Sequence, residues 1–266
     1  MNIEEYLQTP ARPLDRILPD GGFAGIFRTI GCIGDSLSSG EMQLRREDGT
    51  FSYHDLYDYS WGQYIARALG CKVYNFSRGG MTAKWYMDTY AVEKDFFNPE
   101  SACQAYIVAL GVNDITAAIR DKKELGVIAD AAEGSDADNF VSDYAAILRK
   151  YKQISPRAKF FLVTIPRAEI GSVCTEERAR LCDLHQELMH EMAALFPDTY
   201  VIDLRAEAPA YDKAFRDTYF LNGHMNPAGY LLTAKMMMSY IDWIIRKNPK
   251  DFSEAALIGT SLRNCP

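Results

Sequence analysis

Five short apolar segments, each followed by a stretch with helical periodicity, constrain the fold of this chain more than any other feature. The segments are rich in Val, Ile, Phe and Tyr and cover residues 27–33, 72–76, 105–110, 159–165 and 200–204. Strands that alternate with helices pair in parallel and carry helices on both faces of the sheet. The sequence therefore predicts an α/β fold, a three-layer α/β/α sandwich of flavodoxin-like type around a central parallel five-stranded sheet.

Helical spacing and capping residues predict the main helices. Apolar stripes run through Phe140, Tyr144, Ile147, Leu148 and Tyr151, and through Leu181, Leu184, Leu188, Met192 and Leu195. A helix over residues 60–69 should end at Gly70, a usual residue just past a helix end. The last helix should begin at Asn226-Pro227, where Asn caps and Pro suits the first turn, and should run to about Lys247.

Length and composition predict one domain over residues 1–266, with a packed N-terminal arm at 1–26 and an insertion near 121–138. The net charge of −7 argues against nucleic acid as a partner, because phosphate binding needs clustered Lys and Arg. No stretch is apolar enough to span a bilayer, and Met1 is not followed by a signal-peptide pattern, so we expect a cytoplasmic protein without a membrane partner. The sequence leaves the oligomeric state open.

Cysteine and histidine spacing predicts neither a metal nor another cofactor. The six cysteines form no CxxC pair, which favours buried free thiols. The four histidines lack the spacing that places two metal ligands on one face.

Four polar blocks follow predicted strands, where parallel sheets form their sites. The blocks cover residues 34–40, 75–82, 111–114 and 223–229. Each block alone is ordinary turn chemistry, since Gly, Asp, Asn and Ser are the usual residues for leaving a strand. All four blocks, taken in order at successive strand ends, are hard to explain by turns.

The order and placement of the blocks resemble those of the SGNH (GDSL-type) hydrolases over roughly residues 28–247. The resemblance implies that Ser36 is the nucleophile and His224 its base. It implies an oxyanion hole formed by the Ser36 N–H, the Gly80 N–H and the Asn113 amide. Asp35 is expected to support the nucleophile turn through hydrogen bonds to backbone N–H groups.

The chain departs from the family at the third member of the triad. The family usually has an Asp three residues before the base, and here that position is Leu221. An imidazolium needs an acceptor for its second N–H, and a helix N-terminus just after His224 disfavours the cation further. The candidates are a backbone carbonyl near Leu221 or Asn222, which we favour, the Asn222 side chain, or Asp217.

These residues predict a serine hydrolase that cleaves short acyl esters, acetyl groups on carbohydrates among them, through a covalent acyl-enzyme. Segments 45–59 and 115–138 are longer than strand-to-helix connections require, so we expect them to cover the site and disfavour long acyl chains. The alternative is a catalytically silent relative that binds a ligand in the same cleft. A phosphate or flavin site is disfavoured, because residues 34–40 lack the Lys of a P-loop.

Overall fold

The computed structural model describes residues 6–171 and 174–264. Its centre is a sheet of five parallel strands in the order β4-β1-β5-β6-β7, flanked by helices. This is the predicted flavodoxin-like α/β architecture, and all five predicted strands lie in the sheet. None of the helices in the described ranges is long and apolar enough to cross a membrane.

The strands are β1 Thr29–Gly34, β2 Glu41–Arg45, β3 Phe51–Asp55, β4 Lys72–Ser77, β5 Ala105–Ala109, β6 Lys159–Val163, β7 Thr199–Ile202, β8 Phe220–Leu221 and β9 His224–Met225. The helices are α1 Ser36–Ser39, α2 Trp61–Leu69, α3 Ala83–Trp85, α4 Ala91–Glu93, α5 Val112–Asp121, α6 Ile128–Glu133, α7 Phe140–Ile154, α8 Glu176–Leu195, α9 Leu204–Glu207, α10 Lys213–Tyr219 and α11 Pro227–Lys247. A π-helical segment, Tyr86–Tyr90, joins α3 to α4.

The predicted caps of helices α2 and α11 are confirmed. The Ser60 side chain accepts a hydrogen bond from Gln63 N at the start of α2, and Gly70 closes that helix in the left-handed conformation. Asn226 caps α11 by accepting from Gly229 N, with Pro227 in the first turn. The Ser60 and Asn226 side chains each satisfy a backbone donor that the first helical turn leaves unpaired.

Two short antiparallel hairpins lie outside the predicted pattern. Strands β2 and β3 pair with Glu41 opposite Asp55, and β8 pairs with β9 so that Leu221 lies opposite His224. Both hairpins have a sequence signal in their turns, Asp48-Gly49 and Asn222-Gly223, which are typical hairpin dipeptides. The polar alternation of these strands is too short to stand out beside the apolar strands of the main sheet.

The core is apolar on both faces of the sheet. Trp61, Ile107 and Phe161 are fully or almost fully buried on one side, and Tyr106 and Tyr151 on the other. The described cysteines, Cys32, Cys71, Cys103, Cys174 and Cys182, are free thiols as predicted. The expectation for Cys265 concerns a residue outside the described ranges.

The burial of the central strand predicts a large stability effect. Ile107 has 0% exposure, so Ile107→Ala should lower the free energy of unfolding by about 2–5 kcal/mol through lost contacts and a residual cavity. Ile170→Ala is the matched control, since Ile170 is 60% exposed and its truncation should change stability by less than about 0.5 kcal/mol. Urea unfolding of the two variants measures the difference, and equal midpoints would contradict the packing described here.

Candidate active site

The first block forms a tight turn that presents Ser36 as the first residue of α1. Asp35 caps this short helix, and its side chain accepts a hydrogen bond from Leu37 N at 3.0 Å, as predicted for this residue. Gly34 is required beside it, because a β carbon there would collide with the Ser38 side chain. The N–H of a first helical residue has no partner within the helix, so the Ser36 N–H can be donated to a ligand.

The second and third blocks are tied to each other next to this turn. Asn113 Nδ2 donates to Met81 O at 3.1 Å, and Asp114 Oδ1 accepts from Ala83 N at 2.9 Å. Gly80 adopts a positive φ of 73°, and a β carbon at this position would face open space. An amide nitrogen carries two N–H groups, so the bond to Met81 leaves Asn113 a second donor.

His224 lies on β9, in a hairpin that is held by the other hairpin. Gln43 on β2 accepts from Gly223 N through its side-chain oxygen at 2.6 Å, and its backbone oxygen accepts from Asn222 Nδ2 at 2.8 Å. Tyr53 on β3 packs edge-to-face on the His224 ring, with 6.0 Å between ring centroids. The position of His224 therefore depends on residues 41–55, which follow the nucleophile turn directly.

The nearest charged partner of His224 is Glu41. The Nε2 atom of His224 lies 3.1 Å from Glu41 Oε1, and the two side chains are only 16% and 14% exposed. Glu41 also lies against the first two blocks: a β carbon on Gly79 would collide with Glu41 Oε2 and would lie 3.9 Å from Ser36 Cβ. The Tyr230 hydroxyl on α11 donates to Glu41 O at 2.6 Å. Residues from the first, second and fourth blocks thus meet around one carboxylate.

The expected partners of His224 lie elsewhere. Asp217 is paired with Lys213 at 2.5 Å on the exposed helix α10, and the Asn222 amide is used by Gln43. No backbone carbonyl takes the predicted place, since Nδ1 of His224 is buried without a hydrogen-bond partner among the described residues. The predicted local acceptor is therefore absent in the described part of the chain, and the residue that the β8–β9 hairpin places opposite His224 is the apolar Leu221.

Among the described residues, Ser36 Oγ forms no hydrogen bond with either ring nitrogen of His224. The Nε2 atom of His224 lies beside Glu41 Oε1 instead.

Burial shifts the titration of the groups around His224. Burial lowers the pKa of His224, and the charge of Asp55 acts in the opposite direction. Burial raises the pKa of Glu41, and Asp55 raises it further. The pKa of Asp35 is raised to about 7, chiefly by burial, although hydrogen bonds from the turn oppose the shift. A neutral imidazole at neutral pH is the form that can accept a proton.

A cavity of about 70 Å³ lies beside the nucleophile turn. Its lining is mostly apolar and comes from the ends of several strands and helices, among them Leu37, Leu110, Val112, Ile165, Leu204 and Met225. Leu37 and Met225, the sequence neighbours of Ser36 and His224, contribute to this lining, whereas Ser36 and His224 themselves do not.

The other described histidines have structural partners. His185 is buried, and its Nε2 donates to Leu110 O at 3.1 Å, while burial lowers its pKa to about 4. This contact places His185 at the end of β5. His190 pairs with Asp203 at 2.8 Å, and the exposed His54 lies 3.0 Å from the Ser52 hydroxyl.

The sequence matches the GDSL-like Lipase/Acylhydrolase family over residues 32–232, which is most of the chain. The protein therefore belongs to this family and is a carboxylic-ester hydrolase of the GDSL type. No curated protein sequence matches the chain significantly.

Solved structures show the same fold at low sequence identity. A family two carbohydrate esterase from Clostridium thermocellum, solved in complex with cellohexaose, is 17% identical with a TM-score of 0.57; the match covers 84% of this chain and 65% of that chain. The acetylxylan esterase Axe2 from Geobacillus stearothermophilus is 17% identical with a TM-score of 0.53, covering 81% of this chain and 95% of that chain. A putative GDSL-like lipase from Parabacteroides merdae has the same identity, TM-score and coverage.

Sequence reasoning missed Glu41, Gln43 and Tyr53. Glu41 directly follows the last glycine of the first block, and the absence of an Asp at Leu221 was a reason to look for a carboxylate elsewhere. The two hairpin dipeptides could have indicated that both segments fold back toward the sheet edge.

The hydrogen bonds of Gln43 to Asn222 and Gly223 predict how strongly the His224 hairpin is protected from amide exchange. Gln43→Ala removes the side-chain acceptor of the Gly223 N–H, and loss of about 1 kcal/mol should speed amide exchange there by roughly fivefold. Arg45→Ala, at the exposed end of the same strand, should leave this exchange unchanged. Hydrogen exchange resolved at residues 220–226 measures the effect, and equal protection in the two variants would show that Gln43 does not hold the hairpin.

Proposed function

We propose that this protein cleaves short acyl esters, with acetylated carbohydrates as the substrate class, through a covalent acyl-enzyme on Ser36. The observation that supports this most is the meeting of the Ser36 turn, Gly79 and His224 around Glu41. A serine hydroxyl becomes an effective nucleophile only when a nearby base can take its proton.

The reaction follows from these groups. Ser36 Oγ attacks the ester carbonyl carbon, and its proton passes to His224. The Ser36 N–H, the Gly80 N–H and the Asn113 amide stabilise the negative oxygen of the tetrahedral intermediate. The intermediate collapses, the bond to the alcohol breaks, and the alcohol leaves with the proton from His224. Water then attacks the acyl-enzyme, passing a proton to His224, and the carboxylic acid leaves as Ser36 recovers its proton.

We propose a short acyl group because an acetylxylan esterase is among the structures with this fold. Esterases of acetylated polysaccharide are among the structures with this fold, which is consistent with a carbohydrate alcohol.

Substitution of the proposed catalytic residues should separate their roles. Ser36→Ala and His224→Ala should abolish hydrolysis of p-nitrophenyl acetate, and Asn113→Ala should lower kcat by about a hundred- to thousandfold, as loss of one oxyanion donor does. Rates on the acetate, butyrate and octanoate esters, and on acetylated xylan, define the substrate. Ser253→Ala, at an exposed serine of the C-terminal segment, is the control. Activity that survives Ser36→Ala, or ligand binding without Ser36-dependent turnover, would refute the proposal, and preference for octanoate would refute the short acyl group.

The burial of His224 also gives a pH prediction. The base must be neutral to act, and burial lowers the pKa of His224, so kcat/KM should stay on its plateau at neutral pH and fall only below the ordinary histidine pKa of about 6.5. The pH profile for p-nitrophenyl acetate measures the inflection. An acid limb with its midpoint above about pH 7.5 would contradict this sign.

A further inference from the structure

We infer that Glu41 supplies the charge of the missing triad aspartate: its carboxylate, carried by the hairpin after the nucleophile turn, lies beside His224 Nε2 and stabilises the imidazolium, while Nδ1 has no acceptor among the described residues. The inference deepens the proposed function and rests on it. The family pattern takes this carboxylate from three residues before the base, whereas here it comes from a different part of the chain, at strand β2.

The location of Glu41 is fixed from several sides. Its backbone oxygen accepts from the Tyr230 hydroxyl at 2.6 Å, and its strand pairs with β3 so that Asp55 lies opposite. The next inward residue of the same strand, Gln43, holds the turn that precedes His224. One strand therefore fixes both the base and the carboxylate beside it.

The contact suits a charge partner of the base. Glu41 Oε1 lies 3.1 Å from Nε2, yet no hydrogen bond joins the two groups among the described residues. Nε2 is therefore left able to take a proton. When that nitrogen takes the proton of Ser36, the positive charge spreads over the ring, and a carboxylate at this distance in a buried site stabilises it strongly.

The other ionisable groups around the pair lie farther from the ring or carry no charge. Asp55 on β3 acts on His224 but forms no ion pair with it among the described residues, and Asp35 is engaged in the nucleophile turn. Burial raises the pKa of the Tyr230 hydroxyl, so it supplies no negative charge near pH 7. Glu41 is the carboxylate within ion-pair distance of His224 in the described part of the chain.

Glu41→Gln, which keeps the shape and removes the charge, tests the inference. With p-nitrophenyl acetate, kcat should fall by at least about a hundredfold, toward the loss seen when a triad carboxylate is replaced by its amide. KM should change little. Glu41→Asp should recover part of the activity, because it restores the charge at shorter reach. Glu47→Gln, the same substitution in the exposed turn of the hairpin, should match wild type.

Titration of His224 gives a readout that does not depend on turnover. Loss of a nearby negative charge favours the neutral ring, so the His224 pKa followed by NMR should be lower in Glu41→Gln than in Glu47→Gln. Asp55→Asn is measured alongside, since Asp55 also acts on His224.

Three outcomes would overturn the inference: activity of Glu41→Gln within threefold of wild type, an increase in activity, which would show that the carboxylate blocks the site, or an unchanged His224 pKa. Wild-type protein without Ser36-dependent hydrolysis would instead refute the proposed function, while the His224 titration still tests the contact.

Discussion

The parallel register of three strands determines where Ser36, Gly80 and Asn113 lie. Gly34 at the end of β1 pairs with Ser77 of β4 on one side and with Ala109 of β5 on the other. The three strands therefore end side by side, and the turns that follow them carry Ser36, Gly80 and Asn113 to the same edge of the sheet. A shift of one residue in any strand would turn its side chains to the opposite face and move its turn out of reach.

In the proposed reaction, the same edge accommodates a base that becomes cationic. Burial lowers the pKa of His224, and the start of α11 three residues later adds the positive end of a helix dipole. Both effects disfavour the imidazolium. The hairpin at residues 41–55 opposes them, because it brings Glu41 and Asp55 to the ring and fixes the turn before His224 through Gln43.

The sequence predicted the sheet, its parallel strands and the caps of α2 and α11, because these depend on local apolar patterns and capping residues that act within a few positions. It also predicted the support that Asp35 gives the nucleophile turn, a contact made two residues along the chain. It did not predict Glu41 beside His224, since that contact spans most of the chain and depends on how two short hairpins meet. The sequence near Leu221 offers only Asp217 as a carboxylate, whereas the carboxylate beside His224 is Glu41 on β2.

If His224 activates Ser36 for attack, the Ser36 hydroxyl should react with a fluorophosphonate probe, which labels activated serine hydroxyls covalently. Intact mass and peptide mapping follow the labelling. We expect one adduct on Ser36 in the wild-type protein and much slower labelling of the His224→Ala variant. An unlabelled wild-type protein, an adduct on another serine, or equal labelling rates with and without His224 would contradict it.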